Sequence, residues 1–163
     1  MTLARDGRLA VSVGLNGGAQ VSGKLLLRGA GRVVEFLNNW ADPTLVLGST
    51  NGSASVVLVR SELVWIAAME DEPVPWIPNA GARFGNAAVP QARRVVIHAG
   101  PFELHGALHT YPGASWPDFL VAHSGASAYF SLADAQITGP SSSLAIAALA
   151  VNADRISALL SLE

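Results

Sequence analysis

Four histidines are the residues of this 163-residue chain best suited to chemistry, and all sit in its second half: His98, His105, His109 and His123. On a strand of period two, His105 and His109 share a face with Glu103, and two imidazoles with a carboxylate are donors that take a metal such as zinc. Residues four apart on a strand are separated by about 13 Å at 3.3 Å each, however, too far for one ion. Only a bulge or a second chain would bring both to it. The expectation is therefore histidines that face solvent or an interface, with no resident cofactor and with a metal conceivable only across an oligomer axis. A Ser, His and Asp set can be composed on paper with Asp118 or Asp134, but the Gly-x-Ser-x-Gly elbow is missing. Neither a phosphate-binding loop nor a dinucleotide fingerprint is present. Gly29-Ala30-Gly31 before Arg32 fits a strand-to-helix turn, and the acidic run Glu70-Asp71-Glu72 reads as solvated charge. The chain reads as a non-enzyme.

The elements that would carry these residues are written twice. Moving residues 11–40 forward by 83 positions, which takes Gly23 onto Gly106, also takes Val13, Gly17, Leu25, Phe36 and Leu37 onto Val96, Gly100, Leu108, Phe119 and Leu120. Each copy opens with two strand-like runs around turn residues: Val11 to Leu15 and Val21 to Arg28 flank Asn16-Gly17-Gly18, and Val95 to Ile97 and Phe102 to Thr110 flank Ala99-Gly100-Pro101. A short helix follows, around Phe36-Leu37 and around Phe119-Leu120. Ser115 is its expected N-cap in the second copy, with Pro117 and Asp118 suited to the first turn. Further strands come next. Asn51-Gly52 marks one hairpin, and Ala128 to Leu132 with Leu144 to Val151 form the other. The closing segments correspond at an offset of 92, Val59 to Val151, which places a nine-residue insertion in a hairpin tip of copy two. Proline density in 71–91 predicts an extended linker whose Trp76 packs on a barrel or a partner.

Composition limits the partners. Apolar residues make up 50% and charged residues 13% of the chain, against about 25% charged in an average soluble protein. So little charge on a small protein implies apolar surface that meets another protein. A formal net charge of −2 argues against nucleic acid. Without cysteine there is neither a disulfide framework nor a thiolate metal site. The charged N-terminus does not read as a signal peptide, and the longest apolar run, Leu144 to Val151, is too short to span a bilayer. A cytoplasmic protein is expected.

Two strands, a short helix, two strands and a last strand within about 70 residues resemble the small SH3-like or Sm-like barrel. The second copy resembles a family of uncharacterised bacterial domains through Gly106-Ala107-Leu108-His109, Pro112-Gly113, Ser115-Trp116-Pro117-Asp118-Phe119-Leu120 and Ala150-Val151-Asn152-Ala153-Asp154-Arg155-Ile156. Copy one keeps this only in outline, with Leu26 in place of the histidine and Arg60 in place of the asparagine. The resemblance implies a mainly β protein of two tandem barrels, each with one short helix: residues 8–70, a proline-rich linker 71–91, and residues 92–163. That family carries no activity across. The expected function is a non-catalytic assembly module, as a homo-oligomer or a subunit of a larger complex. The alternative is a small-ligand sensor using the groove between barrels. The expected interface or ligand surface is Trp76, His105, His109, Tyr111, Trp116 and His123.

Overall fold

A computed structural model describes residues 7–49, 54–73, 90–111, 113–123 and 128–162. The first repeat forms β1 (Arg8–Leu15), β2 (Gln20–Leu26), α1 (Val33–Asn39), β3 (Thr44–Gly48), β4 (Ser55–Val59), a 3-10 turn (Arg60–Glu62) and β5 (Leu63–Ala68). The second forms β6 (Gln91–Ala99), β7 (Phe102–Thr110), α2 (Trp116–Ala122), β8 (Tyr129–Thr138), β9 (Ser143–Asn152), a 3-10 turn (Ala153–Arg155) and β10 (Ile156–Ser161). The mainly β expectation holds, and so does the order of elements in each copy.

All ten strands belong to one antiparallel sheet, ordered β10-β6-β7-β8-β9-β5-β1-β2-β3-β4, which is not closed into a barrel. Each half therefore runs fifth, first, second, third, fourth strand. The halves join where β9 pairs with β5 through Trp65 opposite Val151, Ile66 opposite Ala150 and Ala67 opposite Leu149. Two apolar cores result. Ile66 and Ala150 join the core of the first half, while Trp65, Ala67, Leu149 and Val151 join that of the second. Because successive strand residues face opposite sides, β5 and β9 serve both cores at once. Leu63 to Ala67 are accordingly buried without interruption.

The repeat is real but its registration differs from the gapless one. Val13 pairs with Val21, and Ile97 pairs with Leu104, the counterpart of Val21. Val13 thus corresponds to Ile97 rather than Val96, because the first turn of copy one holds one residue more. The 3-10 turns begin at Arg60 and Ala153, an offset of 93 and not 92. Asn152 consequently matches Val59, not Arg60. Thr44 faces Val59 as Tyr129 faces Asn152, so the third strands differ by 85. Relative to the helices, offset by 83, copy two gains ten residues: two before β8 and eight in the β8/β9 hairpin.

The repeated glycine has a steric cause. A Cβ on Gly23 would lie 2.8 Å from the Gly48 carbonyl oxygen, and one on Gly106 2.8 Å from that of Ala133. Gly48 and Ala133 correspond at the offset of 85. At both places the second strand crosses the third too closely for any side chain.

Candidate functional site

The strongest polar chemistry gathers where the repeats meet. α1 begins without a side-chain cap of its own. Instead the Val33 amide donates to Glu72 Oε2 at 2.7 Å, and Ala10 N donates to Glu70 Oε1 at 2.8 Å. The acidic run read as solvated therefore ties the end of the first repeat to its first strand and helix. Burial raises the Glu72 carboxyl above its ordinary pKa, against the lowering pull of the Val33 amide and Arg32. Arg32 crosses to the second repeat, donating to Ser131 Oγ at 2.6 Å. Asn38 makes two bonds with the Tyr129 backbone, its Nδ2 donating to the carbonyl and its Oδ1 accepting from N–H, each at 3.0 Å. Asn152 donates to the Leu63 carbonyl at 2.8 Å, and Arg155 donates to that of Ser61.

A pocket of about 270 Å³ opens beside this junction, lined by Arg32, His109, Phe119, His123, Phe130 and Ser131 among others. It unites two of the expected residues, His109 and His123. Burial lowers the His109 imidazole, partly offset by Asp134. His123 sits at the end of α2 with Nδ1 2.9 Å from the Phe119 carbonyl and its ring 4.4 Å from that of Phe119. His105 goes elsewhere, its Nε2 2.6 Å from Glu103 Oε1. That contact, more than any other cause, lowers the Glu103 carboxyl. The shared strand face was legible; convergence of His105 and His109 is not found. Among the described residues no three His, Asp or Glu side chains are placed to hold a metal. Trp116 is half-buried beneath the Arg93 guanidinium, 4.1 Å from the ring centroid. Tyr111 is exposed. Trp76 lies outside the described residues.

Sequence reasoning missed a second pocket, of about 440 Å³, whose lining includes Arg8, Lys24, Arg28 and Trp40 and, among the described residues, no carboxylate. Arg28 lies over the Trp40 ring at 4.7 Å. The available signal was period two: Lys24, Leu26 and Arg28 share a face, and Arg8 pairs with Leu26.

The remaining feature is apolar. Val46 on β3, Val56, Val57 and Val59 on β4, and Leu160 and Leu162 at the other end of the sheet, are all exposed. They cluster at the two free edges. No described helix is long and apolar enough to cross a membrane. The class defined so far is a mainly β protein of two similar halves joined edge to edge in one antiparallel sheet. No protein-family model matches the chain, and neither does any curated protein or any solved structure.

Proposed function

We propose that the protein is a non-catalytic assembly module, acting as a homo-oligomer or as a subunit of a larger complex. Each half is read as a small barrel of the SH3-like or Sm-like kind that pairs through its fourth and fifth strands; β5 and β9 do so with each other, which leaves β4 and β10 for a partner. The observation that carries the reading is the chemistry of the free edges. β4 is Ser-Val-Val-Leu-Val and β10 is Ile-Ser-Ala-Leu-Leu-Ser, with no charge and no proline in either. Isolated edges are normally guarded by lysine, proline or a bulge that twists them away, because bare backbone donors and acceptors recruit another strand; β10 has an irregularity between Ile156 and Ala158, and beyond it Ala158 to Ser161 pair with β6 in continuous register. Multi-angle light scattering and native mass spectrometry of purified protein, alone and drawn from its own cells, test this. Association above the monomer mass is expected, and a monomer in both preparations would sink it.

The second reading is a small-ligand sensor, favoured by the junction pocket with Arg32, His109 and His123 around one opening. A thermal-shift screen separates the two, since a ligand that binds only the native state raises Tm by mass action.

A further inference from the structure

The junction inside the chain is a template for a junction between chains. It joins the fifth strand of the first half, β5, to the fourth strand of the second, β9. Among the described residues, no strand pairs with the outer edge of the fourth strand of the first half, β4, or of the fifth strand of the second, β10. Those are the same two roles, one at each end of the sheet.

The side chains carry this mark. Val56 and Val57 are 37% and 61% exposed, whereas their counterparts Leu149 and Ala150, covered by β5, are 1% and 4% exposed. Leu160 is 49% exposed, and its counterpart Ala67, covered by β9, is fully buried. The third strands agree: Ser131 of β8 accepts a hydrogen bond from Arg32 across the junction, while its counterpart on β3, Val46, is exposed. Apolar side chains lie open where the repeat says a neighbour belongs.

We propose that the occupant is a second copy of this chain, with its β10 added antiparallel to β4. Carrying over the internal register places Leu58, Val57 and Val56 opposite Ala158, Leu159 and Leu160 of the partner subunit. The contact is head-to-tail, so every subunit offers one edge of each kind, and closure into a ring is what removes the last bare edges. The proposal rests on the assembly reading and names its partner.

Two variants test it on opposite edges, Val57→Lys and Leu160→Lys, both at exposed positions where a charge leaves the cores untouched. Wild-type protein is expected at one defined multiple of the chain mass, and each variant alone as a monomer with an unchanged circular dichroism spectrum. Mixing the two variants should give a one-to-one dimer that grows no further, since only one good β4 and one good β10 remain. A variant that still dimerises alone would mean like edges pair, and a wild-type mass retained by both would mean the edges are not used; either overturns the proposal. A monomeric wild type that nonetheless assembles with a different protein also overturns self-pairing, yet leaves the assembly reading intact. Because the chain has no cysteine, the double variant Val56→Cys/Leu160→Cys gives an independent readout: mild oxidation should link chains to one another. An oligomer that yields no interchain link would contradict the register.

Discussion

The two halves follow the same plan with third and fourth strands of different length. Among the described residues β2 meets β3 at Lys24 opposite Gly48, and β7 meets β8 at Glu103, Leu104, His105 and Ala107. The eight residues added to the β8/β9 hairpin lengthen both strands to ten residues, against five in β3 and β4. Beside β2 and β3 the first half has the pocket of Arg8, Lys24, Arg28 and Trp40. The helices differ in the same spirit. α1 buries Val33, Phe36 and Leu37, while α2 buries no residue fully. α1 is bonded to β8 of the other repeat through Asn38. Duplication thus supplies a stable frame twice, and insertion and neighbours decide what each copy exposes.

The sharpest way to break the comparison is at the strand both cores share. Trp65 is fully buried, lies edge-on to Phe102 at 5.5 Å and belongs to the core of the second half though it comes from the first. Trp65→Ala should cost about 3–5 kcal/mol and lower a single melting transition for both halves. Two transitions, one unmoved, would show that the halves are independent. Next, Gly23→Ala and Gly106→Ala force a Cβ against backbone at equivalent crossings, and each should cost about 1–3 kcal/mol. A neutral result at Gly23 alone would show that the β2/β3 crossing gives way where the β7/β8 crossing does not. Hydrogen exchange by mass spectrometry should then find β3 amides exchanging faster than β8 amides, because β3 is five residues long and β8 ten. Equal protection would erase the contrast.

The smallest effects are in titration. Burial pushes the Tyr129 hydroxyl up to about 12, so its contribution to stability is complete below the usual tyrosine pKa near 10 and is lost as pH rises toward 12. Ultraviolet titration of Tyr111→Phe isolates it, and ionisation at the ordinary value would show that residue 129 is not covered by Arg60 and the first core. His109 acts at the other end. Its folded pKa is depressed, so the unfolded chain takes the proton first and stability falls as pH drops through about 6.5. His109→Gln should flatten that slope in acid melts. The first repeat holds Leu26 at the equivalent place, so no matching slope should arise there.

Much of this arrangement was legible locally. Ser115 accepts from the Asp118 amide at 3.2 Å, as an N-cap should. The helices sit where the Phe-Leu pairs put them. The alternation of Glu103 and His105 on one face followed from period two. Less was legible about partners in space. Glu72 lies next to a proline-rich stretch in sequence, yet it caps a helix that starts at Val33. Arg8, Lys24 and Arg28 are scattered along the chain and meet only because β1 and β2 pair.

By itself the sequence determined the repeated strand and helix pattern, since turn residues, caps and alternation act within a few residues of each other. It also fixed the shortage of charge. Tertiary structure decided that the two repeats share one sheet, that β5 is buried on both faces, and that His109 lines a pocket with Arg32 while His105 pairs with Glu103. Backbone pairing between distant strands is nearly blind to sequence, because every residue except proline offers the same donor and acceptor. Which edge joins which is settled by burial in three dimensions, and β4 and β10 are where that burial is incomplete, with Val57 and Leu160 exposed.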